Sequence, residues 1–99
     1  MGVGPSIDYD RVAAMLGAGI PAGAIAERLG HTERQIRRIM RLRGLRRTGP
    51  SIARYLGTEA EIALWREWLR RTGSYEEVAF IFGVRKNTVW FKLGLHQSN

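Results

Sequence analysis

The sequence predicts an all-α chain: two tandem three-helix units joined by a basic linker. Three observations carry this. Two stretches, AGAIAERLGHTERQIRRI (Ala22 to Ile39) and YEEVAFIFGVRKNTVWFK (Tyr75 to Lys92), repeat one apolar pattern around a glycine at an offset of 53 residues. Aligned on Gly30 and Gly83, Ile25 matches Val78, Ala26 matches Ala79, Leu29 matches Phe82 and Ile36 matches Val89. Helix-start signatures, a Ser or Thr followed three residues later by Glu or Gln, recur at Thr32, Thr58 and Ser74. No stretch alternates apolar and polar residues as a half-buried strand does.

The elements follow in order. Asp8 can cap a helix from Tyr9 to about Leu16, with Val12, Met15 and Leu16 on one face. Gly17 and Gly19 end it, and Pro21 suits the first turn of a second helix, to about Leu29. Thr32 with Gln35 opens a third, Glu33 to Leu42 or Arg43, stopped by Gly44. Thr58 with Glu61 opens a longer helix, Glu59 to about Arg71, carrying Ile62, Trp65 and Leu69 as a stripe. Ser74 with Glu77 opens a helix to about Phe82; Gly83 turns the chain, and a last helix runs from about Lys86 to Leu93. SIARYLG, Ser51 to Gly57, has room for one helical turn. The expected division is 1–45 for the first unit, 46–57 for the linker, 58–95 for the second unit and 96–99 for a tail.

Ninety-nine residues make one ordinary domain or two very small ones, and 44% hydrophobic content suffices to fold. No apolar run approaches the roughly 20 residues that span a bilayer. The start, MGVGPSIDYD, lacks the charged-then-apolar order of a signal peptide. Cysteine is absent, which removes disulfide and thiolate chemistry. A cytoplasmic, nucleoid-associated protein is the expectation.

Charge points to the partner. The net charge is +7 with a pI of about 11.0, and 14 of the 16 basic residues are Arg. Arg pairs bidentately with phosphate and guanine, which Lys cannot do; coding bias in a GC-rich genome also enriches Arg. Residues 1–50 carry nine Arg against four acids, and residues 51–99 carry seven basic residues against five acids. Between Arg34 and Arg47 lie seven Arg and no acid, a field that suits a polyanion.

Helix, tight turn, helix, with Ala one turn ahead of a turn Gly, resembles the helix-turn-helix DNA-binding superfamily. The Ala lets the helices cross closely, the Gly tolerates positive φ, and the flanking apolar residues pack the pair on a preceding helix. The first copy fits at Ile25, Ala26, Leu29, Gly30, Ile36 and Ile39; the second at Val78, Ala79, Phe82, Gly83, Val84 and Val89. His31 and Lys92 stand where an apolar residue is usual. EEVAFIFGVRKNTVWF resembles the DNA-binding domain of serine recombinases of the invertase and resolvase type, a homeodomain-like three-helix fold. What the resemblance carries over is the three-helix reader and its basic arms, not strand exchange. The resemblance implies a duplex reader whose second helix enters the major groove.

On the first recognition helix the expected DNA-facing residues are Thr32, Glu33, Arg34, Arg37, Arg38 and Arg41. Glu33 either accepts from cytosine N4 or is a first-turn acid favoured by the helix dipole. On the second they are Arg85, Lys86, Asn87, Thr88, Trp90 and Phe91, with Asn87 suited to adenine. Trp90 and Phe91 either meet thymine methyl groups or pack into the domain or an interface. Trp65 and Trp68, on a helix stripe, are expected in the core.

RLRGLRRTGPS, Arg41 to Ser51, is read as the linker. Arg43, Arg46, Arg47 and Thr48 form its basic arm, which either enters a narrow A·T-rich minor groove or is a solvated linker drawn to phosphate. No catalytic residue, metal site, cofactor or small-molecule ligand is expected: His31 and His96 lack ligand spacing, and no nucleophile–base set or phosphate loop occurs. The expected partner is double-stranded DNA, bound by a monomer or homodimer, in transcriptional regulation or as a recombination accessory factor of bacterial, phage or mobile-element origin. The rivals are an RNA-binding or sigma-like module, and a protein–protein adaptor or small DNA-packaging subunit anchored by Trp90 and Phe91.

Overall fold

In the computed structural model residues 7–97 are described. Residues 1–6, at the start of the predicted first unit, and residues 98 and 99 of the predicted tail lie outside them. The helices are α1 (Tyr9–Gly17), α2 (Ala22–Leu29), α3 (Glu33–Arg43), α4 (Glu59–Thr72), α5 (Tyr75–Phe82) and α6 (Lys86–Gln97), with a single 3-10 turn at Ala53–Tyr55. Among the described residues there is no strand, as the sequence predicts.

The caps explain the boundaries. The Asp8 carboxylate accepts from the Arg11 amide at 3.0 Å, which satisfies one of the free donors at the start of α1. At α3 the predicted box closes: the Thr32 hydroxyl accepts from the Gln35 amide, and the Gln35 side chain accepts from the Thr32 amide. The Ser74 hydroxyl accepts from the Glu77 amide at α5. Helices α2 to α5 each end on a left-handed glycine.

Two expectations are corrected. Thr58 makes no side-chain cap to α4; its hydroxyl donates to the Tyr55 carbonyl instead. Glu61, read as its capping partner, turns into the protein and is 2% exposed. The last helix also outruns the predicted stop at Leu93 and takes up residues 96 and 97 of the expected tail. Val89 and Leu93, four apart and both fully buried, anchor it, and no proline interrupts it.

The buried side chains of both halves form one continuous cluster, so the two predicted units share a core. Val12, Met15, Leu16, Ile20, Ile25, Ile36 and Ile39 of the first half join Ile62, Trp65, Val78, Phe82, Val89 and Leu93 of the second. Helix α1 makes the junction: it packs on α5 as well as on α2. Its Arg11 guanidinium lies over the Phe80 ring, 5.0 Å from the centroid. Gly83, at φ +70°, suits this turn for its backbone, and the end of the Met15 side chain of α1 packs over it, 2.7 Å from where a β-carbon would stand. Trp65 is buried and Trp68 half-buried, with the Trp68 and Phe82 rings edge to face at 6.5 Å, as expected of core tryptophans.

The segment after α3 is a strap laid against the α1–α2 corner. The Thr48 amide donates to the Leu16 carbonyl at 3.1 Å and the Ile52 amide to the Gly19 carbonyl at 3.0 Å. The Thr48 hydroxyl donates to the Gly17 carbonyl, which satisfies the end of α1, and the Ile52 side chain joins the core. Gly19, at φ +92°, lets the strap close: a β-carbon there would stand 2.6 Å from the Pro50 carbonyl oxygen.

Candidate nucleic-acid interface

Helix α3 buries Ile36 and Ile39 and exposes everything the sequence assigns to DNA. Arg34, Arg37, Arg38 and Arg41 are all exposed on three successive turns. Among the described residues Arg34, Arg38 and Arg41 are in no ion pair, so their guanidinium groups keep their donors for a ligand. Arg37 is paired with Glu33 one turn earlier, at 2.6 Å. Glu33 is thereby occupied locally, and one of its oxygens also stands near Gly23 of α2. The Thr32 hydroxyl is engaged in the cap. Arg38, with Gln35 and Leu42, borders a shallow groove of about 270 Å³ against Ile7 and Tyr9.

On α6, Arg85, Lys86 and Asn87 are exposed and Thr88 is half-buried. Trp90 and Phe91 do not pack into the domain, being 59% and 56% exposed, which leaves thymine methyl groups or an interface as their readings. The cause is the register. Val89 and Leu93 take the inward face, and residues one position on from Val89 are turned outward. Asn87 lies one turn before both aromatics, and with Thr88 and Lys92 the three line an open hollow. Lys86 is paired with Glu76 at 3.6 Å.

The predicted arm divides. Arg43 is the last residue of α3, its guanidinium stacked 4.1 Å from the Tyr9 ring centroid, so it belongs to the helix and not to the arm. Thr48 is turned to the α1 terminus. Arg46 and Arg47 are exposed, and Arg47 donates to the Gly49 carbonyl. What remains of the arm is therefore two arginines carried on a pinned strap.

Of the other cations, two are paired on α4. Arg70 and Arg71 pair with Glu67 on α4; the hydrogen bond from Arg70 holds the Glu67 carboxyl below the usual carboxylate range. Among the described residues, exposed cations without an acidic partner lie on α3 and the strap and at Arg54, Arg85 and Lys92. Among the described residues no group of three or more His, Cys, Asp or Glu is placed to hold a metal ion, and no helix is long and apolar enough to cross a membrane.

The sequence reading missed Arg28 and Glu61. Arg28, in the last turn of α2, donates to Glu61 Oε1 at 2.8 Å and to the Phe82 carbonyl at 2.7 Å, with its second nitrogen 2.8 Å from Glu61 Oε2. Glu61 also accepts from the Gly57 amide at 2.6 Å and from Trp65 Nε1 at 3.1 Å. A signal existed: Glu61 is followed by the apolar Ile62 and Trp65 on the same helix, a position where an acid is costly unless paired.

No protein-family model matches the chain, and neither a curated protein nor a solved structure matches it. What the molecule does must be read from its own residues.

Proposed function

We propose that the protein is a sequence-specific binder of double-stranded DNA. Helices α3 and α6 act as two recognition helices in the major groove of a bipartite site, and Arg46 and Arg47 reach the minor groove between them. Its role is that of a transcriptional repressor or regulator, or of a recombination accessory factor, on bacterial, phage or mobile-element DNA. The observation that carries this is the face of α3: four exposed arginines over a buried apolar stripe, three of them without an acidic partner among the described residues. A helix of this width fits the major groove, and arginine reads guanine O6 and N7 bidentately while its neighbours neutralise phosphate. The chemistry at α6 is complementary, with Asn87 suited to adenine N6 and N7 and the exposed aromatics to thymine methyl groups.

Titration of a mixed-sequence duplex by fluorescence anisotropy at two salt concentrations tests this. The whole chain should bind with strong salt dependence, and Arg34→Ala with Arg38→Ala should weaken binding at least about tenfold. Equal binding by that double variant contradicts the proposal. A second reading, a protein–protein adaptor or small DNA-packaging subunit, draws on the exposure of Trp90 and Phe91. Salt-insensitive binding to a protein, lost in Trp90→Ala, favours it.

A further inference from the structure

We infer that a buried clamp centred on Arg28 holds the two recognition helices at one fixed separation and orientation, so that the protein accepts a single spacing between the halves of its DNA site. The inference rests on the duplex-reading function proposed above. It departs from the picture of two readers on a flexible basic tether. Twelve freely jointed residues, 46–57, would span roughly 20 Å with wide scatter and allow many spacings. The structure removes that freedom three times. The strap is hydrogen-bonded to the Leu16 and Gly19 carbonyls, and its Ile52 side chain is in the core. Helix α1 is wedged against α5, with Met15 over the Gly83 turn. Arg28 then joins α2 to α4 through Glu61 and to the end of α5 through the Phe82 carbonyl.

The position of this clamp gives it its effect. Arg28 lies just before the Gly30 turn that leads into α3, and Phe82 just before the Gly83 turn that leads into α6. The two turns abut: a β-carbon on Gly83 would be 3.6 Å from Arg28 Cβ. Each recognition helix therefore starts a few residues from a common fixed point. The Glu61 carboxylate is met by Arg28, Gly57 and Trp65, so the clamp is satisfied on both oxygens and has one low-energy geometry. On B-DNA an added base pair shifts a half-site by about 3.4 Å and rotates it by about 35°. A rigid reader cannot follow that displacement, and it cannot stretch over an added full turn. Arg28 touches no DNA in this account; it is a positioning residue.

The absence of cysteine makes the test clean. Spin labels on Leu42→Cys and Lys92→Cys, both exposed and outside the proposed contacts, report the distance between α3 and α6 in the free protein. The wild-type background should give one narrow distance, and Arg28→Met with Glu61→Gln, which removes both charges together, should broaden it. In parallel, a duplex selected by the whole chain is lengthened between its two contacted segments by one, two and ten base pairs. Wild type should lose at least about tenfold in affinity at every insertion, and the double variant should flatten the series to within about threefold. A broad wild-type distance, or wild-type tolerance of the insertions, overturns the inference. So does a double variant that keeps the narrow distance and the sharp series. If the double variant fails to fold, the wild-type distance and series still decide. If the distance is narrow but no duplex is preferred, the DNA reading has failed and the spacing claim falls with it.

Discussion

Arg28 and Glu61, 33 residues apart in the chain, meet as a bidentate pair in which the Glu61 side chain is 2% exposed and the Arg28 side chain 17%. Removing one partner of such a pair leaves the other charge buried without compensation, at a cost of about 3–5 kcal/mol. Glu61→Ala and Arg28→Ala should each lower stability by that order in urea denaturation. Arg28→Met with Glu61→Gln should cost clearly less than either, because no uncompensated charge remains. The exposed Glu33–Arg37 pair is the control: Arg37→Ala should change stability by less than about 0.5 kcal/mol.

Gly19→Ala should unseat the strap. Left-handed backbone alone costs a non-glycine residue about 1–2 kcal/mol, and the Pro50 carbonyl oxygen, a backbone atom, stands where the methyl group would go. Stability should fall by more than the backbone term. Hydrogen exchange should show the Thr48 and Ile52 amides losing protection before those of α3.

How far these features could be read in the sequence follows from how local their causes are. The helices were legible because caps and apolar periodicity act within a turn: Asp8, Thr32 and Ser74 cap as the sequence predicts. The exposed face of α3 was legible for the same reason, since Ile36 and Ile39 fix which side is inward. Glu61 was misread because its local pattern with Thr58 imitates a capping box, while its true partner lies on another helix. That the linker lies pinned as a strap was not legible, because backbone amides and carbonyls hold it, and those carry no residue signature. Trp90 and Phe91 were ambiguous because aromatic side chains suit a core and a binding surface equally, and only the helix register separates the two.

Trp90→Ala and Phe91→Ala should leave stability within about 0.5 kcal/mol of wild type, as befits exposed residues away from caps and core. Both should weaken binding of a selected duplex. Thermal unfolding and anisotropy on the same samples separate these effects; a large loss of stability would place the rings in the core after all.

Arg46→Ala with Arg47→Ala should lower the salt dependence of duplex binding by about two charges' worth and flatten any A·T preference at the centre of the site. Unchanged binding removes the minor-groove role of the strap. Arg38→Ala should cost about 1–3 kcal/mol and relax specificity in one half of the site only. A uniform loss across sequences would make Arg38 a phosphate contact.

The central claim, that one chain reads a duplex with both α3 and α6, is tested most directly by selecting bound duplexes from random DNA with the whole chain and footprinting the winner at two salt concentrations. The predicted result is one enriched asymmetric site with two major-groove contacts flanking a short A·T-rich centre. No enrichment, with steeply salt-dependent affinity for any duplex, would contradict it and leave a basic protein that binds DNA without reading it.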